Sequence, residues 1–283
     1  MASEAPQDLI ITQAGLDDWP VVRGWAVDEG WNPGVADSAA FFAQDPEGFF
    51  IGRIDGEPVS AISVVNYGSD YAFLGWYLVR PDVRGRGYGL TTWKTALAHA
   101  ENRTVGLDGV VAQQDNYRRS GFEFAHRTFR FTGVAPASEA PDVRVVRPED
   151  LDDITAYDRT CTPADRPRFL AHWLTGPGHH AVVRRSGDLV TGYGVIRPGH
   201  DCPRIGPLFA DTAEDARALF AALTAQAPGR EVAIDVPETN AAAVALAEKA
   251  GFTPSFETAR MYTGPVRPYA QERVFGVTSL ELG

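Results

Sequence analysis

The chain has 283 residues and a mass of 30.7 kDa, too long for one small α/β unit and enough for two domains of about 130 residues each. Its 44% hydrophobic and 22% charged residues describe a globular protein. No apolar run approaches a membrane span, the start MASEAPQDLI lacks the features of a signal peptide, and Cys161 and Cys202 are too few for a disulfide framework or a four-ligand zinc site, so a cytoplasmic protein without a membrane partner or a bound metal is expected. With 26 basic against 37 acidic residues, the net charge of −11 disfavours nucleic acid and favours a cationic small molecule or an amine as partner.

In chain order, Leu9–Thr12 reads as a short strand, followed by a helix capped by Asp17 or Asp18 and running through Val27. Ala36–Ala43 reads as a second helix. Gly48–Ile54 and Val59–Tyr67 form a hairpin on the Asp55-Gly56 turn, and Tyr71–Val79 is a third strand stopped by Pro81. Leu90–Glu101 is helical, with Leu90, Trp93, Leu97 and Ala100 on one face; Val105–Val111 is a strand, and Phe122–Thr132 closes the half. The second half follows the same order, with its clearest helices at Thr212–Ala225 and Asn240–Lys249. The tail Arg273–Thr278 reads as one more strand, able to tie the halves together.

The parallel between halves extends to single residues. Leu16-Asp17-Asp18 recurs as Leu151-Asp152-Asp153, Val105-Gly106-Leu107-Asp108 as Val232-Ala233-Ile234-Asp235, and Gly121-Phe122 as Gly251-Phe252. Arg130 and Arg260 follow each Gly-Phe at the same distance, and Thr132-Gly133 and Thr263-Gly264 end each half. Echoes in one order and at nearly constant separation mark a duplication. The boundaries are 1–134 for the first domain, 135–142 for a Pro/Ala/Ser linker, 143–265 for the second domain and 266–283 for a C-terminal strand or tail.

The sharpest motif is Arg84-Gly85-Arg86-Gly87-Tyr88-Gly89, between a strand and an amphipathic helix. Glycines there let successive backbone N–H groups converge on an anion, and the helix N-terminus adds its partial positive charge. The loop lacks the Gly-Lys-Ser/Thr of a P-loop, and Leu90 stands where a dinucleotide fingerprint wants glycine. What remains, Arg-x-x-Gly-x-Gly at Arg84, Gly87 and Gly89, resembles the coenzyme A signature of the GNAT acyltransferase superfamily. Tyr117-x-x-x-Gly121-Phe122 is similar to a second element of that superfamily.

The resemblance implies an α/β architecture of the α+β type: two tandem GNAT domains, each a mixed, mostly antiparallel sheet flanked by helices. It also implies acetyl-CoA as co-substrate, held by the N–H groups of Arg84 to Gly89, with Asn116 on the pantetheine and Tyr117 protonating the leaving thiolate. A strand-end N–H of Leu78 or Val79 is a candidate to hold the thioester oxygen. Asp108 is the leading candidate base, because a carboxylate at the end of a central strand faces the cleft of an open α/β sheet; Asp28, Glu29 and Asp37 are others, as bases or anchors for the amine. The loop Glu29–Gly34, with Trp31 and Asn32, is placed by the resemblance over the acceptor. Trp76 and Tyr77 alternate on the third strand, so one faces the acceptor and the other packs.

The second half lacks both chemical elements: Pro207 removes a donor where the cradle would be, and Ala247 stands in place of the tyrosine. The whole resembles tandem GNAT proteins of the YitH type, with an intact first domain and a degenerate second one. The expected function is acetyl-CoA-dependent N-acetylation of a small-molecule amine by a monomer whose halves imitate a dimer. The alternatives are a non-catalytic acyl-CoA sensor or scaffold, and a transferase of a larger acyl or aminoacyl group.

Overall fold

The computed structural model of the chain describes residues 8–136, 138, 140 and 142–283. Residues 1–7, read above for a leader, and positions 137, 139 and 141 of the expected linker lie outside the described residues.

The first repeat contains β1 (Ile10–Gln13), α1 (Trp19–Asp28), α2 (Ser38–Gln44), β2 (Phe49–Ile54), β3 (Glu57–Tyr67), β4 (Tyr71–Val79), α3 (Tyr88–Leu97), β5 (Thr104–Val110), α4 (Gln114–Arg119) and β6 (Glu123–Gly133). The second contains β7 (Val143–Val145), α5 (Leu151–Cys161), α6 (Pro167–Trp173), β8 (His180–Ser186), β9 (Leu189–Arg197), β10 (Arg204–Ala210), α7 (Ala213–Thr224), β11 (Val232–Pro237), α8 (Ala241–Lys249) and β12 (Thr253–Tyr262); β13 (Val274–Gly276) follows. The expected elements are present to within a few residues at their ends. Asp18 stands at the N-cap of α1 without a side-chain cap bond. Its carboxylate instead accepts from the Gly15 N–H and pairs with Arg53.

The described strands form one sheet in the order β1-β2-β3-β4-β5-β12-β6-β11-β10-β9-β8-β7, with β13 on β10. Only β4–β5 and β10–β11 pair in parallel, so the sheet is mixed and mostly antiparallel. The surprise is at the centre. β6 does not close its own half: it lies between β12 and β11, while β12 lies between β5 and β6. Each repeat hands its last strand to the other. The boundaries at 134 and 143 therefore separate repeats of sequence, not bodies that each close alone.

The exchange is fixed by two reciprocal ion pairs. Asp108 on β5 stands opposite Arg260 on β12, which grips it through Nε (2.8 Å) and Nη2 (2.7 Å). Asp235 on β11 stands opposite Arg130 on β6, gripped through Nε (2.7 Å) and Nη2 (3.1 Å). All four side chains are buried. The helices complete the join. α1 and α2 share one core with α5 and α6 on one face of the sheet, where Phe41 stacks on Phe169 (6.3 Å) and Trp173 (5.8 Å). The opposite face carries separate clusters under α3 and α4 and under α7 and α8. No helix of the described residues is long and apolar enough to cross a membrane.

Two outcomes follow from this interlock. Arg130→Ala, which leaves the Asp235 carboxylate buried with only Arg204, should lower stability by about 3–5 kcal/mol in denaturant titration. A chain ending at Gly133 leaves β5 and β6 without their partners, so it should be aggregated in gel filtration and should recover a native circular-dichroism spectrum only when co-expressed with residues 143–283.

Candidate active site

In both repeats the two parallel strands begin together and then diverge. β4 and β5 are paired from Tyr71–Thr104 to Leu74–Leu107, after which they splay into an open wedge. The splay coincides with a bulge in β4 opposite Ala61–Ser63, where Trp76 has a positive φ of 51°. The extra residue puts Leu74 and Tyr77 with the α3 core, while Trp76 joins the core of Trp19 and Phe41 and still lines the wedge. Beyond the bulge, the Arg80 N–H donates to the Val59 carbonyl (2.9 Å). Ser60–Val79 is therefore a non-hydrogen-bonded pair of the ladder, and the Val79 N–H and carbonyl turn to the open side. Leu78, opposite Ala61, faces β3 instead. Of the two strand-end donors expected, only Val79 looks into the wedge.

The glycine loop crosses the mouth of this wedge. Gly85 (φ 78°) and Gly87 (φ 87°) take left-handed conformations, and Gly87 is the N-cap of α3. Among the described residues no backbone acceptor is bonded to the N–H groups of residues 85–90, whereas the Arg84 N–H is taken by the Pro81 carbonyl (3.3 Å). The cradle thus begins at Gly85, one residue later than expected. Arg84 uses its side chain as a brace: Nε donates to the Val79 carbonyl (2.9 Å) and Nη2 pairs with Glu29. Arg86 Nη2 donates to the Asp82 carbonyl (3.3 Å), and the buried Tyr88 ring sends its hydroxyl to Asp8 (3.1 Å), so only the Tyr88 backbone faces the loop's concavity. No acidic residue occupies the first turn of α3. Free donors, a helix N-terminus and glycine backbone fit a pyrophosphate.

Tyr117 is buried on α4, its ring stacked on Trp93 (5.5 Å between centroids) and lying over Gly109, where a Cβ would come within 2.7 Å of the ring. Burial, with Tyr77 nearby, pushes its phenol above the ordinary value, so it stays protonated at neutral pH. Asn116 lies on the exposed side of α4, donating to Gln113 Oε1 (2.6 Å), at the rim of the groove that Leu90, Lys94 and Leu97 of α3 form with α4.

Three expected roles give way to structural ones. Asp108 has both oxygens bonded to Arg260 and a side chain with no exposure, so it is a strut of the strand exchange and not a free base. Asp37 is buried and held by Arg197 Nε (3.1 and 2.9 Å) with His179 Nε2 at 3.5 Å. Asn32 is buried and bonds across to the other repeat, donating to the Cys202 carbonyl (3.1 Å) and accepting from the Asp201 N–H (2.8 Å). Trp31 does line the wedge, and its carbonyl receives Arg130 Nη1 (2.6 Å). Asp28 and Glu29 stand at the end of α1, Glu29 engaged with Arg84.

The far wall of the wedge has no signature in the sequence. The wedge opens into a cavity lined on its far side by Phe256 and Thr258 of β12 and by Leu280 and Glu281 of the tail. Gly75 lets the tail pass: a Cβ there would stand 2.0 Å from the Glu281 carbonyl oxygen. The tail is pinned by Tyr67 Oη to the Leu282 carbonyl (2.9 Å), Arg166 Nη1 to the Gly283 carbonyl (3.0 Å) and Arg204 Nη1 to Glu281 Oε1 (2.7 Å). No motif marks these residues, because their place depends on a path across both repeats.

The second repeat has the same wedge, filled. β10 and β11 pair only at Arg204–Ala233 and Ile205–Ile234, and β13 then takes the gap, pairing with Leu208 and Phe209 while the Val277 N–H donates to the Asp235 carbonyl (2.9 Å). At the equivalent helix start, Thr212 caps α7 through the Asp215 N–H (3.1 Å), with Glu214 and Asp215 in the first turn. One of the first-turn donors is spent, and the acidic charge repels phosphate.

The Acetyltransferase (GNAT) family matches residues 16–122, and a second Acetyltransferase (GNAT) domain matches residues 154–276. The chain is 38% identical over 273 residues to the holothin acyltransferase of Pseudoalteromonas sp. (strain SANK 73390), covering 95% of this chain and 93% of that one. This chain belongs to the GNAT acyltransferase family. It is also 20% identical over 244 residues to YitH of Bacillus subtilis (strain 168), called an uncharacterized N-acetyltransferase, covering 84% and 86% of the two chains. A structure from Pyrococcus horikoshii, named as a proposed acetyltransferase, shares the fold with a TM-score of 0.85 at 22% identity over 100% of this chain and 99% of that one. Members of the GNAT family use acyl-CoA, and in this member the open wedge and the free cradle belong to the first repeat.

One acyl-CoA should therefore bind per chain. Gly87→Glu puts a carboxylate and a strained backbone in the cradle, and calorimetry with acetyl-CoA should show one site in the wild type and at least about tenfold weaker binding in the variant.

Proposed function

We propose that this GNAT protein transfers an acetyl group from acetyl-CoA to the primary amine of a small, largely apolar molecule. The observation that carries the reading is the coincidence, in the first repeat alone, of an open wedge, an unbonded N–H cradle and a buried tyrosine. The cradle of residues 85–90 would hold the pyrophosphate, and the groove beside Asn116 would receive the pantetheine. The amine lone pair attacks the thioester carbon, the Val79 N–H supports the oxyanion, and the C–S bond breaks as Tyr117 gives its proton to the departing sulfur. The phenol is a weaker acid than in water, but the same burial raises the thiol and so favours the proton on sulfur.

The acceptor cavity supports a small molecule in place of a protein lysine. Its far side is lined by β12 and the tail, and apolar side chains make up most of its wall, which suits a compact apolar acceptor. A relative named for acylating holothin supports a small-molecule acceptor. The filled wedge leaves the second repeat the role of wall and support. We also read the protein as a monomer, because the two-fold joint that a dimer would supply is already built within the chain.

Tyr117→Phe keeps the ring stack on Trp93 and removes the proton. It should lower kcat by about 10- to 10³-fold with acetyl-CoA affinity unchanged, measured by thiol release and by calorimetry. Equal kcat with chemistry rate-limiting would reject the assignment.

A further inference from the structure

The geometry points to Glu281 as the residue that receives the acceptor amine and takes its proton, and to a neutral amine on a flat apolar body as the substrate class. This rests on the acyltransferase reading above and adds the group which that reading lacks.

Glu281 is 5% exposed and lines the wedge cavity. Its Oε1 accepts from Arg204 Nη1 (2.7 Å), while Oε2 is buried without a hydrogen-bond partner among the described residues. A buried carboxylate oxygen left without a donor is costly, and a ligand N–H removes that cost. The other carboxylate on the cavity wall, Asp108, is committed to Arg260, and the one cation, Arg130, to Asp235. Thr258 Oγ1 and Trp76 Nε1 are also without partners, but neither is a proton acceptor of useful basicity.

The charge around Glu281 selects the amine. Arg130, Asp235, Arg204 and Glu281 form one buried relay, Asp235 Oδ2 meeting Arg204 Nη2 at 2.9 Å. Two guanidinium groups balance two carboxylates, so an incoming ammonium would add an uncompensated buried charge. Carboxylates are also too weak to strip an alkylammonium, at ~4.3 against ~10.4 for a lysine side chain. A weakly basic amine arrives with its lone pair free. Trp31, Trp76, Tyr77, Leu74 and Phe256 offer flat and aliphatic walls to its body.

The step balances. The amine nitrogen bonds to the acyl carbon, the C–S bond breaks, the nitrogen's proton passes to Glu281 Oε2, and Tyr117 protonates the thiolate. The proton on Glu281 then returns to the phenolate through solvent, leaving amide and free thiol.

The test is Glu281→Gln, which keeps size and one acceptor oxygen, beside Glu281→Asp, which keeps the charge should the glutamine variant fail to fold. Both are compared with the wild type in thiol release from acetyl-CoA, using a panel of neutral aromatic and cationic aliphatic primary amines that starts with p-toluidine and phenethylamine. We expect p-toluidine to be preferred and its kcat/KM to fall about 10²-fold or more in Glu281→Gln, with about tenfold of that recovered in Glu281→Asp. The acetyl-CoA Kd from calorimetry should be the same in all three proteins. Undiminished kcat/KM in Glu281→Gln, or an equal loss of acetyl-CoA affinity, overturns the role of Glu281 and leaves the acyltransferase reading standing. Preference for phenethylamine overturns the substrate class. A wild type that binds acetyl-CoA but releases no thiol with any amine overturns the proposed function, and this inference with it.

Discussion

The reciprocal pairs Asp108–Arg260 and Asp235–Arg130 are the constraint on which the rest of the structure depends. Each joins a central strand of one repeat to the last strand of the other, in register and out of water. A buried carboxylate without its guanidinium would be far costlier than either group in water, so neither repeat can close on its own last strand without changing partners in both pairs at once. Burial alone would raise the Asp235 carboxyl. The charges of Arg130 and Arg204 win and hold it below the usual carboxylate range, and Arg197 and His179 do the same for Asp37. Carboxyls depressed in this way stabilise the fold fully above about pH 4 and lose that contribution as pH falls through their folded values. Asp235 and Asp37, both of which tie the repeats together, thus stay charged at neutral pH.

Because the joint is symmetric, the asymmetry of the two wedges has to come from elsewhere, and it comes from the tail. The tail leaves β12, lays β13 into the second wedge, and continues into the wall of the first. One segment therefore fills one wedge and walls the other. Asn240 reinforces the plug by donating to the Glu272 (2.8 Å) and Val274 (3.1 Å) carbonyls. The absence of a glycine cradle and a tyrosine in the second repeat is consistent with this: with β13 in the wedge, there is no space in which either could act.

The role of a second repeat in such a protein is then physical and specific. It supplies β12 to the central sheet, Arg260 to Asp108, Arg204 to Glu281, and α6 to the aromatic stack on Phe41. Each of these holds a wall of the first wedge. The loop carrying Trp31 is fixed in the same way, through Asn32 and Arg204.

The sequence by itself determined the duplication, nearly every element, the glycine cradle and the tyrosine, because those signals are local: a period of apolar residues, a turn, a run of glycines before a helix. It even displayed both members of the central ion pairs, as the echoes Asp108/Asp235 and Arg130/Arg260, without revealing that they belong together. Only the tertiary structure decided that pairing, since antiparallel register between strands more than a hundred residues apart leaves no local trace. For the same reason Asp108, Asp37 and Asn32 read as site residues when the fold spends them on contacts between repeats, and Leu280 and Glu281 were not seen at all. A carboxylate's role depends on which charge reaches it first, and that is settled by the path of the chain through space.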